Sequence, residues 1–117
     1  MNIDRDLIAA SVTPLLLSLL EQEESYGYRL IQRVKQCSDG ALEWSEGMLY
    51  PVLHRLEKRG LIISHWKTAD NGRRRKYYAL TEKGRLELER QKREWHVVAS
   101  ALRRSGFPVP LEASLGQ

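Results

Sequence analysis

The sequence predicts a mainly α-helical fold that carries a two-stranded β-wing and ends in a long helix, on three observations. Apolar residues recur at three- and four-residue spacing in four separate stretches, which is the period of amphipathic helices. One region breaks that period: "LIISHWK" and "RKYYAL" are rich in β-branched and aromatic residues, and "TADNGRR" between them contains Asn71-Gly72, a strong hairpin signal. Finally, 117 residues with 42% hydrophobic and 29% charged suffice for one core with a solvated surface, so one folded unit is expected.

In the first helix, Leu7, Ile8, Val12, Leu15, Leu16, Leu19 and Leu20 share a helical period, and Asp4 and Asp6 suit its positive N-terminus. Pro14 removes a backbone donor and crowds the preceding turn, so the stretch is either one bent helix, the preferred reading, or a helix restarted with Thr13 as N-cap. Ser25 is expected to cap a second helix, "YGYRLIQRVKQCS", with Tyr26, Leu30 and Val34 on one stripe, and Asp39-Gly40 ends it. A short extended piece, "ALEW", is expected next. Ser45 then caps a third helix from Glu46 to Arg59, where Leu49, Val52, Leu53 and Leu56 face inward and Gly60 supplies the left-handed stop. Pro51 comes early enough in it to cost one hydrogen bond. Thr81 caps the last helix, in which Leu88, Trp95 and Leu102 recur every seven residues with Gly84, Gln91 and Val98 between them. The expected division is 1–80 for a DNA-binding domain, 81–105 for a dimerisation helix packed with the first helix, and 106–117 for a tail.

Charge narrows the function. The net charge of +4 is modest, but residues 61–80 hold five Lys or Arg against one acid, whereas residues 1–60 hold seven against nine. A concentrated excess is the footprint of a phosphate-contacting element. A basic run can also be a localisation signal, but its place inside a hairpin argues against that use.

Three helices, a hairpin and a long helix follow in the order of a winged helix-turn-helix, whose later helix enters the major groove of DNA. Here that helix is Glu46 to Arg59. With its apolar stripe inward, Ser45, Met48, Tyr50, Pro51, His54 and Arg55 are candidate contacts; Tyr50 and His54 can donate to bases or phosphates and Met48 can touch a thymine methyl. Two readings stand for the first pair: DNA contact, or a partly buried tyrosine and an ordinary exposed histidine. On the wing, Arg73, Arg74, Arg75 and Lys76, with Lys67 on the opposite strand, are candidate phosphate clamps. Strand alternation prevents all four consecutive cations from facing one way, which ranks Arg73 and Arg74 at the tip first and turns one of Arg75 and Lys76 away. Leu7, Ile8, Leu88, Trp95, Val98 and Leu102 are the candidate dimer interface.

The runs "YGYRLIQRV", "EGMLYPVLHRLEKRGLI" and "NGRRRKYYALTEKG", in this order and spacing, resemble the PadR-like family of transcriptional regulators over about Leu15 to Leu102. The resemblance implies a homodimeric repressor of the small subgroup with a single C-terminal dimerisation helix, and it matches Leu49, Tyr50 and Pro51 to the recognition helix and Arg73 to Lys76 to the wing. Met48 departs from it, since the family commonly has Thr there and a hydroxyl able to bond phosphate is lost. In some relatives of this kind a tryptophan matching Trp95 lines a pore between subunits and stacks on flat or cationic ligands. Trp95, with Gln91 beside it, is therefore a candidate effector site, with packing in the dimer seam as the other reading.

The expected partners are double-stranded DNA with a palindromic operator, a second copy of the chain and a possible small aromatic or cationic effector. A protein-interaction module without DNA binding is the alternative. His54, His65 and His96 fall on three different elements and no metal-spaced cluster, phosphate loop or nucleophile elbow occurs, so neither catalysis, metal nor cofactor is expected. Cys37 is the sole cysteine, expected to be buried as a small hydrophobe. With no disulfide framework, and "LIAASVTPLLLSLL" too short to span a bilayer, a cytoplasmic location is expected.

Overall fold

The computed structural model describes residues 2–109, so part of the expected tail lies outside the described residues. The elements are α1 (Arg5–Gln22), β1 (Ser25–Tyr26), α2 (Gly27–Cys37), α3 (Glu46–Lys58), β2 (Ile62–Thr68), β3 (Arg74–Leu80) and α4 (Glu82–Arg104). They form a winged helix-turn-helix followed by a long helix, the predicted fold class.

One core joins every helix. Leu16, Leu17 and Leu20 of α1 meet Leu30 and Val34 of α2, Leu49, Leu53 and Leu56 of α3, Ile62 and Tyr78 of the sheet and Leu88 of α4. Each fully buried leucine contributes about 1.5–3 kcal/mol of transfer free energy. α1 runs unbroken through Pro14, with the Asp4 carboxylate accepting from the Asp6 N–H at 3.1 Å. Its C-terminal end is closed by Arg33, a buried guanidinium that donates to the Leu19 carbonyl at 3.2 Å and to Gln22 Oε1 at 2.7 Å. A cation at a helix C-terminus answers both the unsatisfied carbonyls and the dipole, and this one fixes α2 against α1.

The sheet has three strands, not two. β1 pairs antiparallel with β3 (Ser25↔Tyr78, Tyr26↔Tyr77), giving the order β1-β3-β2. Ser25 is therefore a strand residue and does not cap α2; Tyr26 stands at the N-cap without a side-chain cap bond. The piece "ALEW" is not a strand: the chain turns after α2, and the Leu42 N–H donates to Ser38 Oγ at 2.9 Å. Cys37, the last residue of α2, is exposed where that helix has run past the core.

The hairpin closes through residues 69–73, not through a two-residue turn at Asn71-Gly72. A primed two-residue turn needs positive φ at both central residues, and here Gly72 has φ +84° while Asn71 stays out of that region. The Asn71 side chain instead accepts from the Arg73 N–H at 3.0 Å, and the Ala69 N–H donates to the Arg73 carbonyl at 2.7 Å. The register runs from Ile62↔Leu80 to Thr68↔Arg74, one residue away from what a two-residue turn would impose.

α4 is tied to the base of the wing. Thr81 Oγ1 accepts from the Gly84 N–H at 2.9 Å and donates to the Gly60 carbonyl at 2.7 Å. Gly84 sits so close to the chain that a Cβ there would lie 2.0 Å from the Leu61 carbonyl oxygen. Farther along, Glu21 of α1 pairs with Lys92 at 3.5 Å and Arg85 at 3.8 Å.

Candidate nucleic-acid interface

α3 is set by its ends. Ser45 Oγ accepts from the Met48 N–H at 3.2 Å, so this candidate is also the helix cap, and near the other end Ser64 Oγ of β2 donates to Glu57 Oε2 at 2.5 Å. Pro51, His54 and Arg55 are exposed on the outer side, whereas Met48 is half-buried against the core and offers less surface than its spacing suggested. Tyr50 is 41% exposed and its ring rests on Gly27, where a Cβ would fall 2.2 Å from the hydroxyl. Burial, with a smaller effect of Glu46, pushes the Tyr50 phenol pKa up, so the hydroxyl remains a proton donor. Tyr78 is pushed up as well, by burial first and then by Tyr50 and Glu57.

The wing sorts its cations by face. Alternation with the observed register puts Arg74 and Lys76 with Trp66 and Thr68 on one face, and Arg75 with Lys67, His65 and Tyr77 on the other. On the first face the Arg74 guanidinium lies 5.1 Å from the Trp66 ring centroid and Lys76 Nζ 5.8 Å from that of Tyr78. On the second, Arg75 sits 4.4 Å over Tyr26 and Lys67 4.7 Å over Tyr77. Lys67 is also bonded to Glu24, which accepts from His65 Nε2 at 3.1 Å. That hydrogen bond from Lys67 holds the Glu24 carboxyl below its ordinary range and raises the Lys67 ammonium above its own. Lys67 is thus engaged within the protein, and Lys76 shares the face of Arg74 and Trp66.

A concave groove of about 530 Å³ collects these parts: Tyr26 from β1, Tyr28 from the start of α2, Glu46 and Tyr50 from α3, and Trp66, Arg73, Arg74, Arg75 and Lys76 from the wing. Tyr28 and Trp66 were not among the sequence candidates. Both are aromatic and exposed, at 58% and 57%, but their convergence depends on β1 and on the hairpin register, neither legible locally.

The last helix divides in two. Leu88 is buried at 1% exposure and Ile8 packs against the same core, so neither belongs to an outward row. Docking of the first turn of α4 through Gly84 forces this half inward. Beyond it, Trp95, Val98 and Leu102 are exposed at 40%, 52% and 36%, with Leu7 of α1 at 56%. Ala10, Glu94, Trp95 and Val98 border a shallow cavity of about 330 Å³. Gln91 is not part of that cavity: its amide nitrogen donates to Glu87 Oε2 at 2.8 Å, and its carbonyl oxygen is buried without a partner.

Against known proteins, the model of the transcriptional regulator PadR-like family matches residues 16–90, from α1 through the helix-turn-helix and wing into α4. The chain belongs to the PadR-like family. Similar members include the transcriptional regulator Rv3488 of Mycobacterium tuberculosis, 36% identical over 76% of this chain and 79% of that one. The transcriptional regulator YqjI of Escherichia coli is 28% identical over 76% of this chain, which spans only 41% of YqjI. A PadR-like transcriptional regulator of Bacillus cereus has the same fold, with a TM-score of 0.78 and 31% identity over 89% of this chain and 99% of that one. As a PadR-like protein the chain is a transcriptional regulator and not an enzyme. No helix among the described residues is long and apolar enough to cross a membrane. The family match takes in α3 and the wing but stops short of Trp95, Val98 and Leu102.

Proposed function

We propose that this PadR-like regulator is a cytoplasmic homodimer that binds a palindromic operator and represses transcription, with one groove per subunit receiving the DNA backbone. One observation carries the reading: Tyr50 of α3 and the cations Arg74 and Lys76 of the wing line the same groove. α3 enters the major groove with Tyr50, His54 and Arg55 toward the bases, a phosphate ridge lies between helix and wing, and Arg73, Arg74 and Lys76 neutralise it. Glu46 beside the groove opposes phosphate, so affinity comes from the wing and base preference from α3. The second copy docks on Leu7, Trp95, Val98 and Leu102, an apolar row that a lone chain would leave in water. Two subunits then present half-sites about one helical turn apart. Retention of genomic fragments by the purified protein, followed by sequencing, tests this: enrichment of an inverted repeat is expected, and random recovery would overturn it.

A second, compatible reading concerns an effector. Trp95 offers an exposed indole face beside Glu94 at the α1–α4 cavity, chemistry that suits a flat cation. Quenching of tryptophan emission by a planar cationic dye, lost in Trp95→Ala, is the expected result; equal quenching in both proteins would remove this site.

A further inference from the structure

We infer that Trp66 is itself a DNA-contacting residue: an apolar side chain on the wing that packs against deoxyribose and the adjoining base edges along the backbone ridge seated between α3 and the wing. The inference rests on the DNA-binding reading and extends it to a side chain that supplies no charge. Trp66 is 57% exposed although it is the residue type with the most apolar surface to bury, and it lies in the groove that also holds Tyr50 and Lys76. Its strand partner is Lys76, and the guanidinium of Arg74 sits 5.1 Å from its ring centroid, so the indole is steadied by cations on the phosphate-facing side of the wing. The other wing aromatics are placed differently: Tyr78 is buried at 4% exposure, and Tyr77 packs with Tyr26 and His65 on the opposite face.

When a backbone ridge occupies the groove between α3 and the wing, Trp66 lies against that ridge between the wing cations. Cations there hold phosphates, but an indole between them meets the apolar sugars and the base edges next to them. Such a contact displaces water and no condensed counterions. It therefore strengthens binding without steepening the salt dependence, which separates it from the contacts of Arg74 and Lys76. A tryptophan that merely braces the hairpin would be replaceable by phenylalanine and indifferent to DNA.

The experiment uses fragments retained from genomic DNA by the full-length protein, titrated by fluorescence anisotropy over a range of salt concentrations. Trp66→Ala is expected to weaken binding about tenfold with an unchanged salt slope, whereas Arg74→Ala lowers the slope by about 0.9. Because Trp66→Ala also touches the hairpin, Trp66→Phe is the folded control. DNA should quench tryptophan emission in the unmodified protein and in Trp95→Phe, but not in Trp66→Phe. Unchanged affinity in Trp66→Ala, or quenching that persists in Trp66→Phe, would overturn the proposal while leaving the DNA-binding reading intact. If the unmodified protein retains no fragment, that reading falls, and this proposal with it.

Discussion

The hydroxyl of Tyr50 lies over the backbone of Gly27, so close that a methyl group on the glycine would come within 2.2 Å of it. The first residue of one helix thereby sets where the tyrosine of the next can stand. Because Tyr50 is 41% exposed, its ring can swing into solvent, so Gly27→Ala should fold with a melting temperature within a few degrees of the original while binding DNA about tenfold more weakly. A double-mutant cycle with Tyr50→Ala checks the mechanism: the two losses should be well short of additive, and full additivity would mean that Gly27 acts elsewhere.

The two faces of the wing make unequal demands on salt. Arg74→Ala and Lys76→Ala should each weaken DNA binding and reduce the slope of log affinity against log salt by about 0.9, while Arg75→Ala should change the slope less, because the Arg75 guanidinium is half-buried over the Tyr26 ring. Anisotropy titrations from low to high salt separate the cases. Equal effects at all three positions would contradict the facial sorting.

Glu24 restrains one cation. It is bonded to Lys67 and to His65, so Glu24→Gln should release Lys67 for phosphate and raise non-specific DNA affinity several-fold, with a steeper salt slope. The pair is partly exposed, and such pairs contribute only about 0–1 kcal/mol, so thermal stability should scarcely move. A Glu24→Gln, Lys67→Ala double variant should return the slope to its starting value.

Glu87 is a titratable brace on α4. Hydrogen bonds from Arg90 first and Gln91 second hold its carboxyl pKa down, from 4.5 to about 2. A depressed folded-state pKa gives stability that is complete above the ordinary carboxylate value and is lost as pH falls from about 4.5 toward 2. Melting curves over that range should fall more steeply for the unmodified protein than for Glu87→Gln, which lacks the titrating group.

Gly84 offers the severest test of packing. A Cβ there would meet the Leu61 carbonyl oxygen at 2.0 Å, and that atom is backbone and cannot rotate aside. Gly84→Ala should cost about 3 kcal/mol or more and lower the melting temperature by more than ~10 °C. A loss of only a degree or two would show that α4 can lift from the wing freely.

Much of this arrangement was legible from local signals. Ser45 and Thr81 cap the helices they precede, Gly60 takes the left-handed position after α3 at φ +78°, and the apolar stripe of Leu49, Leu53 and Leu56 faces the core. Each depends on a few consecutive residues and on hydrogen bonds that close within one turn. The misreadings that bear on the site involve partners distant in the chain. Ser25 looked like a helix cap because the strand it pairs with arrives some fifty residues later, opposite Tyr78. A two-residue turn at Asn71-Gly72 would set Trp66 opposite Tyr77, whereas the longer loop sets it opposite Lys76, so the face it occupies follows from a register that the residues around it do not determine. Leu88 kept the heptad period of Trp95 and Leu102 yet turned to its own core, since period does not say which partner a stripe meets.

Helix positions, caps, the hairpin, the concentration of cations in residues 61–80 and the kinship to PadR-like regulators thus followed from residue order alone, because propensity, capping and charge act over a few residues. Which cations share a face with the recognition helix, which are held by Glu24, how Gly27 seats Tyr50, and where α4 leaves the core for solvent were decided only by tertiary structure. Those outcomes depend on strand register and on close approaches of backbone, which exist only once segments far apart in the chain have met.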